Sequence, residues 1–168
     1  LAGVGGAIAW DLDDAMHTVG DLGEKHQLKK WGMWNILSEK FGDLEEDKKP
    51  RPWSYTWTLL CQLFPSESNI YKPSYAVKND SIRSVVATHK KEFTGAIVNQ
   101  NSSTKRIKIN TTLLQSPRQL YLYEYSELDR PVNNEGFPVV TKELKTNLIT
   151  DELELNVKGN SVVFISTI

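Results

Sequence analysis

The sequence predicts a mainly β protein whose second half, residues 71–168, folds as an antiparallel β-sandwich. In that half, short runs of alternating apolar and polar residues recur, as expected for strands with one buried face. Clusters of Asn, Asp, Gly and Ser separate these runs and are typical of turns. About 100 residues with strands at this spacing match the size of a β-sandwich. Residues 1–70 differ, because a single strand pattern there is followed by helical patterns.

The strands of the second half are predicted in order by this alternation, in residues 81–89, 93–100, 105–113, 119–126, 152–157 and 161–168. In the third run, Ile107 and Ile109 share one face while Lys and Arg residues occupy the other. The last run is apolar on both faces, which is typical of a strand at the centre of a sheet. The pattern therefore places the final strand in the core of the sandwich.

The first half is predicted to contain a strand over residues 3–11 and a clear helix over residues 51–65. Pro52 suits the first helical turn, and Pro65 ends the pattern. A helical stripe of large side chains predicts the face that packs in the core, at Trp53, Trp57, Leu60 and Phe64. Residues 24–41 fit either a helix interrupted by Gly32 or a long structured loop.

Composition argues against several classes of protein. The chain carries 20 Lys and Arg residues against 21 Asp and Glu residues, a net charge of -1, whereas proteins that bind nucleic acid or membrane surfaces are usually basic. No apolar run approaches the roughly 18 residues of a membrane-spanning helix. The single cysteine, Cys61, allows no intrachain disulfide and no Cys-based zinc cluster, and is expected to be a small buried hydrophobe.

The opening stretch GGAIAWDLDDAMH, residues 5–17, joins a short apolar run to three acids and a histidine. It does not fit a dinucleotide-binding loop, because the glycines precede the strand and Ile8 stands at the third glycine position. It does not fit an EF-hand calcium loop, since Ala15 and Met16 occupy the positions of a ligand and a glycine. An irregular cation site remains open as an alternative.

The same stretch fits the end of a βα unit from a barrel. Small and β-branched residues suit a strand buried on both faces, and barrel enzymes carry their active sites where such strands end. Asp11 and Asp13 are expected on one side of the extended chain and Trp10 on the other. An aromatic ring with nearby carboxylates suits a sugar ligand. In the alternative hypothesis the acids solvate a loop or cap a helix, and Trp10 lies in the core.

Four segments together carry a resemblance to a known family: GGAIAWDLDDAMH, WGMWN, RPWSYTWTLLCQLFPSESNIY and the closing VKGNSVVFISTI. They resemble the C-terminal part of a bacterial clan-A-like glycoside hydrolase, which has a (β/α)8 catalytic barrel followed by an accessory β-sandwich. The resemblance implies that residues 5–11 are the last barrel strand, residues 51–64 the last barrel helix, and residues 12–50 the loop between them. Residues 1–70 are then the incomplete end of the barrel, and residues 71–168 the accessory domain.

The resemblance also implies an activity, the retaining hydrolysis of a glycosidic bond in an oligo- or polysaccharide. The family's two catalytic glutamates stand on the fourth and seventh barrel strands, upstream of Leu1, so we expect a fragment that is inactive by itself. Its partners are carbohydrate and the upstream part of its own chain; no cofactor or metal is implied, and a secreted or periplasmic location is favoured. Substrate-binding roles fall to residues of the last strand and the following loop: Trp10, Asp11, Asp13, Asp14, His17, Trp31 and Trp34.

The alternative hypothesis is a module without catalysis, in which the sandwich itself binds carbohydrate or serves a structural role. Tyr121, Tyr123 and Tyr125 recur at a period of two, and hence share one face of a strand. If that face is exposed, the three rings form a flat platform for a sugar; if it is covered, they pack in the core. Exposure of the rings therefore decides between the two interpretations.

Overall fold

The computed structural model describes residues 15–17, 27–29, 32–33, 50–76, 80–110, 119–126, 128–145 and 152–168. The chain divides into two compact units, Leu1–Tyr55 and Thr56–Ile168. Over the described residues it is a mainly β protein with antiparallel sheets and one helix, which confirms the predicted fold class. The predicted division into a barrel remnant, residues 1–70, and an accessory domain, residues 71–168, stays a prediction.

A short antiparallel strand pair is the regular structure described in the first 30 residues. Strand β1 (Ala15–His17) pairs with β2 (Gln27–Lys29), and His17 lies opposite Gln27. A helix was one of the two alternatives for residues 24–41, and it is wrong at β2. A strand of three residues forms because of its hydrogen bonds to a partner strand, here β1. The pattern of residues within one segment does not reveal such a partner. The strand predicted over residues 3–11 lies outside the described residues.

The helix α1 (Pro52–Leu63) confirms the helix predicted between two prolines. Pro52 occupies the first position, where a missing N–H costs no helical hydrogen bond. The N–H and the hydroxyl of Ser54 both donate to the carbonyl oxygen of Arg51, at 3.0 and 2.6 Å. Pro65 stands just past the last helical residue, so the helix stops where the chain can no longer donate.

The larger sheet has six antiparallel strands in the order β3-β4-β5-β10-β7-β8. Its members are β3 (Asn69–Tyr71), β4 (Ile82–His89), β5 (Glu92–Asn99), β7 (Gln119–Ser126), β8 (Lys142–Lys145) and β10 (Ser161–Ser166). The smaller sheet pairs β6 (Lys105–Asn110) with β9 (Glu152–Val157). Each of the six strands predicted from alternation is present, and the bounds of β7 and β9 match the prediction.

The final strand, β10, lies at the centre of the large sheet, as predicted, and all six of its residues are buried. Val163 and Ile165 join a core cluster with Leu155 and Val157 of β9. On the opposite face, Phe164 and its neighbours pack with residues of α1. The large sheet is therefore covered by the β6–β9 sheet on one face and by α1 on the other. Full burial of each large apolar side chain contributes about 1.5–3 kcal/mol to the stability of the folded state.

The face that α1 turns to the sheet differs from the predicted stripe. Leu59 and Leu63 are almost fully buried, whereas Leu60 is 37% exposed, so the prediction is wrong at Leu60. Leu59 and Leu63 are four positions apart and lie on one side of the helix. Cys61 is two positions from each of them and lies on the opposite side, where it is exposed. The predicted burial of Cys61 is therefore wrong.

The two edges of the large sheet were not predicted, because each edge strand is too short or too polar for a clear pattern. All three residues of β3 are exposed, including Ile70. Strand β8 has the sequence KELK, and its charged side chains protect that edge against pairing with another chain. The β3 edge lacks this protection.

Candidate functional site

The residues predicted to bind substrate fall almost entirely outside the described part of the chain. This holds for Trp10, Asp11, Asp13, Asp14, Trp31 and Trp34. His17 is the exception: its backbone ends β1 and pairs with Gln27. The predicted site therefore stays a prediction.

The tyrosine row of β7 faces α1 and packs in the core. Tyr123 is 8% exposed, and Tyr121 and Tyr125 are half-buried against the cluster that holds Leu59 and Leu63 of the helix. Burial raises the pKa of the Tyr123 phenol above its usual value, and Tyr121 beside it adds to that rise. Because the helix covers these rings, they do not form an open platform for a sugar.

An open cleft of about 520 Å³ lies on the other face of the large sheet, beside β6. Its floor is formed by apolar residues of β4, β5 and β10, among them Ile82, Ile97 and Ile165. Residues 107–110 of β6 form one wall and residues 71–75, which include the end of β3, form the other. The volume lies within the range of roughly 300–1,000 Å³ that is common for ligand sites.

The cleft exists because the second layer is narrower than the first. Among the described residues, the β6–β9 sheet has two strands, and the sheet that it covers has six. Phe93 and Gly95 both line the cleft, and the Phe93 ring lies over Gly95, since a Cβ there would meet the ring at 3.6 Å, an ordinary contact distance. The alternation of β6 predicted its apolar face correctly, but nothing in the sequence indicated how much of the large sheet the β6–β9 pair would cover.

The rim of the cleft is polar and carries positive charge. Tyr75 is 42% exposed, and its hydroxyl lies 2.7 Å from the hydroxyl of Ser84. Lys72 and Lys108 also line the cleft, and none of its lining residues is acidic. Lys108 donates to Glu152 of β9 at 3.0 Å, so the charge of that lysine is partly balanced from outside the cleft. The cleft thus joins an apolar floor to an electropositive rim.

The fold is similar to that of solved glycoside hydrolases. A GH30 endoxylanase from Clostridium papyrosolvens C71 matches with a TM-score of 0.55 at 8% identity, covering 77% of this chain and 35% of that one. The GH30 subfamily 8 xylanase Xyn30A from Clostridium acetobutylicum matches with a TM-score of 0.59 at 8% identity, covering 82% of this chain and 31% of that one.

This chain has a glycoside hydrolase-like fold. It spans about a third of the length of the two xylanases. At this identity the likeness concerns the fold and does not identify shared site residues. No protein-family pattern matches the sequence, and no curated protein matches it either. The resemblance predicted from the four sequence segments is therefore confirmed for the fold.

The groups that line the cleft are suited to binding a ligand. The residues lining the cleft supply hydroxyl, amide and ammonium groups, but no pair of carboxylates for acid–base work. Within the described ranges no three His, Cys, Asp or Glu side chains are grouped closely enough to hold a metal ion. Among the same residues, no helix combines the length and apolar character that crossing a bilayer requires.

Proposed function

We propose that this chain is the C-terminal part of a glycoside hydrolase, with the end of a (β/α)8 barrel in residues 1–70 and an accessory β-sandwich in residues 71–168. The observation that carries the proposal is the fold likeness to two GH30 xylanases, which extends over 77% and 82% of this chain. The same likeness spans about a third of each enzyme, which leaves room for a barrel of about 250 residues.

The proposed reaction is the retaining hydrolysis of a glycosidic bond in an oligo- or polysaccharide. Its acid/base and its nucleophile would be glutamates of the upstream barrel, about 5 Å apart across the scissile bond. Since both matched enzymes are xylanases, xylan is the first substrate to test. In this proposal the chain itself contributes sugar-binding groups. The Trp10 ring stacks on a sugar face, and Asp11 and Asp13 accept hydrogen bonds from hydroxyls. Asp14, His17, Trp31 and Trp34 belong to the same proposed substrate site, which is distinct from the cleft beside β6.

The sandwich would support the barrel through α1, which occupies the place of the last barrel helix in the proposed layout. Leu59 and Leu63 of that helix are buried against the large sheet. This gives the accessory domain a structural role in the proposed enzyme.

The experiment compares two purified proteins, the 168-residue chain and the product of the whole reading frame that encodes it. Both are incubated with xylan, mixed-linkage β-glucan and starch, and released reducing sugar is measured. We expect xylan or β-glucan hydrolysis by the longer product only, with the retained anomer appearing first in proton NMR. Activity of the short chain alone, or none of the longer product on any glycan, contradicts the proposal.

A variant tests the sugar-binding role separately. In the longer product, Trp10→Ala is expected to raise KM by about two- to tenfold, because it removes a stacking contact worth about 0.5–1.5 kcal/mol. Cys61→Ala is the matched control, since Cys61 is exposed on α1 and away from the sheet. Equal KM values for both variants would show that Trp10 does not bind the substrate.

A further inference from the structure

We draw no further inference here: the strongest candidate, the open cleft between β6 and residues 71–75, has walls that are followed in the chain by residues 77–79 and 111–118, which lie outside the described ranges, so nothing in the structure shows what covers its apolar floor.

Discussion

Asn99 at the end of β5 is expected to be the polar side chain on which the sandwich depends most. It is fully buried, and its amide nitrogen, with two N–H bonds to donate, lies 2.9–3.0 Å from the carbonyl oxygens of Ser103, Val157 and Lys158, so one N–H is shared between two of them. Its side-chain oxygen accepts hydrogen bonds from the N–H and the amide of Asn101 at 3.0 and 2.9 Å. One side chain therefore joins the β5–β6 loop to the turn between β9 and β10.

The substitution Asn99→Ala removes all of these hydrogen bonds. The carbonyl oxygen of Val157 is buried, and leaving it unsatisfied costs about 1–3 kcal/mol, while each bond lost from the half-buried groups costs about 0.5–1.5 kcal/mol. With water replacing some of the partners, we expect the free energy of unfolding to fall by about 3 kcal/mol. For a chain of this length that corresponds to a fall in Tm of roughly 6–12 °C.

The assay is urea unfolding followed by far-ultraviolet circular dichroism, with the free energy obtained by linear extrapolation. Asn156→Ala is the matched control, because Asn156 is exposed near the end of β9 and the same atoms are removed. It is expected to change stability by less than about 0.5 kcal/mol. A loss below 1 kcal/mol for Asn99→Ala, or an equal loss for both variants, would refute the assignment of Asn99 as the link between these segments.

Three further substitutions test the packing of the large sheet and its turns. Gly159→Ala places a Cβ 2.3 Å from the carbonyl oxygen of Ser102, so we expect a loss of about 1–3 kcal/mol in urea unfolding, and an unchanged midpoint would contradict that close approach. Leu63→Ala removes a buried side chain and is expected to lower the free energy of unfolding by about 2–5 kcal/mol. Leu60→Ala is the control, with an expected loss of less than about 1 kcal/mol. Equal losses would mean that the wrong face of α1 is assigned to the core. Burial raises the pKa of Tyr123 in the folded chain. As pH rises past about 10, the unfolded chain therefore loses this phenol proton before the folded chain does, and the free energy of unfolding falls. Tyr123→Phe is expected to flatten this slope in urea midpoints measured between pH 8.5 and 10.5, and identical slopes in both proteins would contradict the shift.

Strands with one buried face were predictable because their signal is local. In β6 and β9, apolar residues alternate with charged ones, and the structure buries or half-buries the apolar set while exposing most of the charged set. The apolar character of residues 161–168 on both faces predicted a central strand, and β10 is central. In these segments the residues that decide the structure lie within the strand itself.

Features that depend on distant partners were predicted poorly. The predicted helical stripe held Trp53, Trp57, Leu60 and Phe64. Phe64 packs against the core cluster as predicted, but the face that packs on the sheet is centred on Leu59 and Leu63. Spacing identifies candidate faces of a helix, and only the neighbouring sheet selects one of them. The short strands β2, β3 and β8 exist through their partners and carry no clear period of their own.

The candidate site shows the same limit. Both faces of β7 are apolar, with Leu120 and Leu122 on one and the tyrosines on the other, so its sequence could not show which face would be covered by α1. The cleft beside β6 results from a mismatch in width between two sheets, which no single segment encodes. The predicted sugar-binding residues, from Trp10 to Trp34, rest on the family resemblance and on the strand pattern before them.

The most direct test of the proposed hydrolase is the reading frame upstream of Leu1. The proposal predicts roughly 200 or more residues there, organised as alternating strand and helix patterns, with a glutamate at the end of the fourth and of the seventh strand. Replacing either glutamate with glutamine in the whole product should then abolish hydrolysis of xylan. A reading frame without such repeated units, or one that begins directly before Leu1, would contradict the barrel and the activity assigned to it.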